Sequence, residues 1–203
     1  MFDWLRRKRP GHTAPTGETT VAAPAEATDI PLLVPEDEDD LLPDIGSGPV
    51  MLRPLESSDQ RWLPRIFRAA IHEQGAAFYT RAQCDAWAAG ASDEAAFNAR
   101  LTEGVTIVAD LDGRVGAFAQ LHPADTFSML YVAPGVGGYG IATLLYQYLE
   151  DEARIAGSAR LQASVSLAGK RFFEQMGFRS EGVESVERQG QLLERHTMVK
   201  ALR

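Results

Sequence analysis

Between Met129 and Leu145 the chain reads Met-Leu-Tyr-Val-Ala-Pro-Gly-Val-Gly-Gly-Tyr-Gly-Ile-Ala-Thr-Leu-Leu, an apolar strand run, a loop with four glycines, then an apolar-faced helix. Such a strand–loop–helix unit constrains the fold strongly, because the first helical turn leaves its N–H groups unpaired at the positive end of the helix dipole, where an anion is favoured without a basic side chain. Glycines in the loop let a bulky pyrophosphate approach the main chain. Read literally, Gly135-Val136-Gly137-Gly138-Tyr139-Gly140 fits the dinucleotide fingerprint. That fingerprint needs an acidic residue about 20 residues further on to hold a ribose. The helix carries Glu150, Asp151 and Glu152, but no carboxylate occurs from Ala153 through Phe173, so the dinucleotide reading fails on its second requirement.

The order of elements around the loop points the same way. Val50 to Arg53 reads as a strand, with Ser57 or Ser58 expected to cap the helix that follows. Leu63, Ile66, Phe67, Ala70 and Ile71 recur at helical spacing, and Pro64 requires that this helix either start late or bend. A second helix is predicted over about 80–89, and Asp93 is placed to cap a third through Leu101. From Val105 the period changes to two. The strands 105–110 and 114–119 flank Asp112-Gly113, a strong two-residue hairpin signal. A third strand, Phe127 to Val132, leads into the glycine loop and a helix predicted to bury Ile141, Leu144, Leu145, Tyr148 and Leu149. Leu161 to Ser166 then makes a strand that the helical crossover sets parallel to the one before the loop, and the last hairpin turns near Gln189-Gly190. The expected fold is α+β: a mixed, mainly antiparallel sheet with one parallel βαβ crossover and helices on both faces.

Two segments carry a family resemblance. Gly137-Gly138-Tyr139-Gly140-Ile141-Ala142 resembles the acyl-CoA loop of the GNAT superfamily of N-acetyltransferases, Q/R-x-x-G-x-G/A, with Gly137 in place of the leading Gln or Arg. Downstream, Ser166-Leu167-Ala168-Gly169-Lys170-Arg171-Phe172-Phe173-Glu174-Gln175-Met176-Gly177-Phe178 is similar to the strand-to-helix segment that closes GNAT domains, in a small bacterial branch carrying Phe-Phe-Glu. The stretches 66–70 and 78–87, the strand 129–132 and the ending 195–200 complete the likeness, which spans about residues 50–203.

The resemblance implies an acetyl-CoA-dependent N-acetyltransferase whose partners are acetyl-CoA and an amine acceptor. It implies that main-chain groups of Leu130, Tyr131 and Val132 hold the pantetheine arm. It further implies that N–H groups of Gly137, Gly138, Tyr139, Gly140, Ile141, Ala142 and Thr143 hold the pyrophosphate, and that Phe173 lies by the thioester. Many GNATs place a tyrosine hydroxyl at Phe173, and the branch this chain resembles often carries an acid at Ser128, so neither the usual acid nor an obvious base is present. His72, Tyr79 and His196 are the candidate catalytic side chains, although packing or capping is the plainer reading of each; His196 alternates with apolar neighbours and is expected near the acceptor cleft. A non-catalytic acyl-CoA-binding sensor or interaction module on the same fold is the alternative.

Composition narrows the rest. Residues 1–48 form an expected disordered, acidic, Pro/Ala-rich tail, leaving residues 49–203 as the domain. The tail holds four basic and ten acidic residues, so it carries −6 of the net −8, and the domain has no broad basic surface for nucleic acid. Phe2, Trp4 and Leu5 before Arg6-Arg7-Lys8-Arg9 give at most reversible membrane attachment, and a solvated tail is the expectation. With no apolar run near the roughly 20 residues of a membrane span and no secretory signal, a cytoplasmic location is expected. The four histidines lack metal-ligand spacing and Cys84 is the single cysteine, so neither a metal nor an internal disulfide is expected. Nothing in the sequence selects an oligomeric state.

Overall fold

The computed structural model describes residues 49–202. The expected tail, residues 1–48, lies outside the described residues, as does Arg203. Seven strands form one sheet in the order β1-β2-β3-β4-β5-β7-β6. They are β1 (Val50–Pro54), β2 (Val105–Leu111), β3 (Arg114–Leu121), β4 (Thr126–Val132), β5 (Arg160–Ser166), β6 (Arg179–Arg188) and β7 (Gln191–Ala201). The helices are α1 (Leu63–Gly75), α2 (Arg81–Ala88), α3 (Glu94–Leu101), α4 (Ile141–Ile155) and α5 (Lys170–Gln175). Every neighbouring pair is antiparallel except β4 and β5, which α4 connects in parallel. The α+β architecture is therefore the one the element order predicted.

Local signals act where expected. The Asp112-Gly113 and Gln189-Gly190 turns have φ of 56° and 84°, and of 48° and 74°, the left-handed pairs that suit a tight hairpin. Asp93 accepts from the Ala96 N–H at 2.9 Å and caps α3, and Thr80 and Gln83 close a capping box on α2. Pro64 is tolerated because α1 starts late, at Leu63, which leaves the proline in the first turn. Ser57 and Ser58 do not cap that helix. They lie in a short 3₁₀ turn whose N-terminal end is closed by the Glu56 N–H donating to Asp59 Oδ2 at 2.8 Å, while Trp62 precedes α1 with no side-chain cap.

Helices cover both faces. On one, Phe67 of α1 meets Tyr131 of β4 at 4.7 Å and Phe97 of α3 at 5.0 Å; on the other, Tyr146 of α4 stacks on Phe127 of β4 at 5.2 Å. Phe127 and Tyr131 are four residues apart and would share a face of a regular strand. They do not, because a bulge pairs Gln120 with Met129 but Leu121 with Phe127, leaving Ser128 as the extra residue.

The buried face of α4 differs from the prediction. Ile141, Leu145 and Leu149 are buried with Tyr146, Glu150 and Ala153, whereas Leu144 and Tyr148 are 42% and 37% exposed. On the buried face Glu150 meets Lys200 Nζ at 2.6 Å and Arg154 at 2.5 Å, with the Tyr146 hydroxyl donating to the same carboxylate. Burial by itself would raise the Glu150 carboxyl, but the hydrogen bonds from Lys200, Tyr146 and Arg154 outweigh it and hold it below its usual range. A depressed folded value contributes stability that is complete above the unfolded value of about 4.3 and is lost as pH falls through the folded one. Glu150→Gln is therefore expected to destabilise the domain at pH 7, with the gap to wild type closing under acid; urea melts at pH 7, 5 and 3 check this. No helix among the described residues is long and apolar enough to cross a membrane.

Candidate active site

The parallel pair is paired at two positions only, Thr126 with Gln162 and Phe127 with Ala163. Beyond them β4 and β5 diverge. The Ser128 bulge in β4 falls immediately after the last paired position, and residues of α1 and α5 line the opening. A narrow cavity of about 110 Å³ fills the wedge between Ser128–Tyr131 on one lip and Ser164–Ser166 on the other, with α1 and Phe173 closing its ends. A wider cavity of about 280 Å³ adjoins it, sharing Trp87, Ser128, Met129, Tyr131, Ser164 and Ser166.

The structure brings several of the sequence-selected residues to this wedge. Leu130 and Tyr131 line it from β4, and Phe173 lines it from α5. Val132 lies at the strand's end, where its carbonyl accepts a 3.2 Å hydrogen bond from the Gln74 side-chain amide of α1. Past Val132 the chain makes the glycine loop, pinned by buried Val136, and enters α4 at Gly140. Gly138 and Gly140 have φ of 87° and 75°, and a Cβ at either would meet nothing within 4 Å, so backbone conformation selects glycine there rather than crowding. Gly140 offers no side-chain cap and the first turn of α4 contains no acid. The first helical hydrogen bond runs from Leu144 N–H to the Gly140 carbonyl at 3.0 Å, which leaves the N–H groups of Ile141, Ala142 and Thr143 facing outward at the dipole's positive end. Gly137 differs from its neighbours: its φ is ordinary and the space around it is open.

The candidate catalytic side chains separate. Tyr79 lines the wide cavity, but its hydroxyl donates to the Glu194 carbonyl at 2.6 Å and accepts from the Leu167 N–H at 2.9 Å. Burial pushes its phenol up, and the group acts as a tie between β7 and the β5–α5 turn. His196 is turned away from the cleft. Its neighbour Arg195 lines the wide cavity and pairs with Ser166, so His196, paired with Val165, points to the opposite face, where Nδ1 lies 3.1 Å from Ser180 Oγ. His72 is also elsewhere, exposed near the end of α1 with Nε2 3.8 Å from Asp85 Oδ1. Ser128 Oγ donates to Gln120 Oε1 at 2.8 Å and is held by it. Cys84 is buried and its thiol is pushed up by burial, which keeps it unreactive.

Tyr131 stands out by its chemistry. Its ring stacks on Phe118 at 5.6 Å, both cavities reach it, and burial pushes its phenol well above the usual value despite the Trp87 side chain and the Arg100 guanidinium acting the other way. Near neutral pH it keeps its proton. Sequence reading selected Tyr131 for its main chain and passed over its hydroxyl; it also passed over Gln74, Arg100 and Arg188, for which helix or strand position gave no sign of a shared cavity. Among the described residues no group of three or more His, Cys, Asp or Glu side chains is placed to hold a metal ion.

The sequence model of the acetyltransferase (GNAT) domain matches residues 75–202, more than half of the chain. This chain belongs to the GNAT acetyltransferase family. A crystal structure of a GCN5-related N-acetyltransferase from Rhodopseudomonas palustris superposes on this GNAT domain with a TM-score of 0.74 at 36% identity, over 77% of this chain and 97% of that one. The PaiA N-acetyltransferase from Thermoplasma acidophilum, solved with coenzyme A, shares the fold with a TM-score of 0.59 at 16% identity, over 76% of this chain and 99% of that one. YncA from Salmonella typhimurium, solved with its cofactor acetyl-CoA, does so with a TM-score of 0.56 at 22% identity, over 77% and 95%. No curated protein matches the sequence of this GNAT domain.

Proposed function

We propose that this GNAT domain is a cytoplasmic, acetyl-CoA-dependent N-acetyltransferase that passes the acetyl group to a primary amine by direct attack on the thioester. The observation that carries the reading is the wedge: two parallel strands that part after two paired positions, with a cavity between them and a glycine turn with outward N–H groups at the end of the same strand. In this reading the diphosphate rests on the N–H groups from Gly137 to Thr143, and the pantetheine arm lies along Leu130 to Val132, displacing the Gln74 amide from the Val132 carbonyl. The thioester then sits between Ser128, Tyr131 and Phe173.

The amine nitrogen attacks the thioester carbonyl carbon, the C–N bond forms, and the C–S bond breaks with coenzyme A leaving as thiolate. The proton lost from nitrogen finally balances that thiolate. A thiol of pKa about 8.5 is a fair leaving group near neutral pH, so the missing hydroxyl at Phe173 slows such a reaction more readily than it prevents it. The protonated Tyr131 phenol is one hydroxyl beside the proposed thioester position, with Ser128 Oγ, which Gln120 already holds. Positioning and a main-chain N–H at the developing oxyanion supply the remaining catalysis. The second reading, a non-catalytic acyl-CoA module, is favoured by Ser128 and Tyr79 both being committed to structural hydrogen bonds.

Two measurements test the proposal. A ligand at a hundred times its Kd adds about 2.7 kcal/mol, or roughly 5 to 11 °C in Tm for a domain of this size. Acetyl-CoA and coenzyme A are expected to give such a shift and NADH none. Free thiol released from acetyl-CoA in the presence of an amine panel is expected to exceed the amine-free rate; tight acetyl-CoA binding with no amine-dependent release would favour the module.

A further inference from the structure

The wide cavity beside the wedge has a sign. Three arginines line it, Arg100 from the end of α3, Arg188 from the end of β6 and Arg195 from β7, against one acidic residue, Glu194. Glu194 presents its carbonyl to Tyr79, and strand alternation gives its side chain the phase of His196, although its charge still reaches the Tyr79 phenol and helps to raise it. Arg195 is neutralised, its Nε lying 2.8 Å from Glu184 Oε1. Arg100 is not: it donates to the neutral Gly90 carbonyl at 3.2 Å and lies over the Phe97 ring at 5.4 Å. Among the described residues neither Arg100 nor Arg188 has a carboxylate within ion-pair distance. Two unneutralised guanidiniums thus stand at the rim of one cavity in a domain whose overall balance is slightly acidic.

Such a rim repels a simple alkylammonium or a polyamine. It suits an acceptor that carries its own anion. Guanidinium forks match the planar oxygens of a carboxylate or the tetrahedral oxygens of a phosphate, and a cavity of about 280 Å³ has the scale of a small metabolite. The same charges favour the neutral form of a nearby amine, since a like charge destabilises an ammonium. That would supply the nucleophile's free base in a cleft with no evident general base. We propose that the acceptor of this domain is a small primary amine bearing a carboxylate or phosphate, whose anion is held by Arg100 and Arg188 while its amine faces the wedge at Ser128 and Tyr131. This rests on the acetyl-transfer reading for what happens to the amine, but not for the binding itself.

The test uses matched pairs on the full chain saturated with acetyl-CoA: L-alanine against L-alaninamide, β-alanine against its amide, and O-phosphoethanolamine against ethanolamine. Thiol release and, on the coenzyme A complex, calorimetric binding are read for each. A charge-assisted hydrogen bond contributes enough for the anionic member of at least one pair to be favoured by about tenfold or more in kcat/KM. That preference should fall as salt rises, because the rim is solvated. Arg188→Gln and Arg100→Gln should each remove most of it while leaving the acetyl-CoA-induced rise in Tm in place. The carboxylate pairs and the phosphate pair then distinguish which anion is used. Equal or better turnover of the neutral members, or a preference unchanged in both variants, overturns the proposal and leaves acetyl transfer standing. Binding of an anionic amine without thiol release overturns acetyl transfer and leaves the binding inference standing. Neither binding nor release for any anionic member overturns the inference.

Discussion

Gly140→Val is expected to abolish most of the thermal stabilisation by acetyl-CoA. Gly140 enters α4 at φ 75°, a conformation that costs an L-residue about 1–2 kcal/mol and a β-branched one more. The variant must either carry that strain or return to negative φ, and the second option rotates the peptide units that aim the Ile141, Ala142 and Thr143 N–H groups outward. If two hydrogen bonds to the diphosphate are lost at about 1.5–3 kcal/mol each, affinity falls by at least about a hundredfold. At an acetyl-CoA concentration a hundred times the wild-type Kd, the residual stabilisation is about 0.4 kcal/mol, or roughly 1 °C in place of 5 to 11 °C. The apo protein should melt only a few degrees lower, since a Cβ at Gly140 meets no atom within 4 Å. Paired melting curves with and without acetyl-CoA check the prediction, and a fully retained shift would remove the loop from the donor site.

The second large effect is expected of Phe127→Ala. Phe127 stands at the last paired position before β4 and β5 part, and its ring is shared by both sides of the division: Tyr146 of α4 at 5.2 Å, Phe173 of α5 at 6.0 Å and Phe178 ahead of β6 at 6.3 Å. Truncating a buried phenylalanine costs about 3–5 kcal/mol, which for this domain is on the order of 6 to 20 °C in Tm. No polar partner is left stranded, so the loss is packing alone. It should appear equally in urea melts at low and high salt. A loss below about 1 kcal/mol would mean that α4 and α5 close the gap without this ring.

Much of the architecture can be read along the chain because it is set by short-range rules. The hairpin at Asp112-Gly113, the Asp93 cap and the late start forced by Pro64 each depend on residues within four positions of one another. The glycine turn at the head of α4 is legible for the same reason. What escaped the sequence depends on distant partners. Glu150 is buried with Lys200, fifty residues away, as its partner, and on the same helix Tyr146 goes inward while Leu144 and Tyr148 stay partly out. His196 alternates with apolar residues on both sides of β7, so its pattern gave no face; the pairing of Ser166 with Arg195 decides it. The extra residue at Ser128 reverses the phase of β4 within a strand whose apolar run looks continuous. Arg100 and Arg188 meet one cavity only through the fold, from a helix end and a hairpin end that are far apart in sequence.

The two-rung contact between β4 and β5 divides the seven strands mechanically into a four-strand plate and a three-strand plate. Besides those rungs, the plates are stitched by α4 through Glu150 and Lys200, by the Gln83 amide of α2 donating to the Leu192 carbonyl, and by the Tyr79 phenol, which binds the far plate from the α1–α2 connection. A guest lodged along the open seam would act as a splice, bearing on both plates at once. Amide protons of residues 128–130 and 164–166 should then exchange more slowly with the seam filled, so that occupancy is written into the rigidity of the whole sheet and not only into its local contacts.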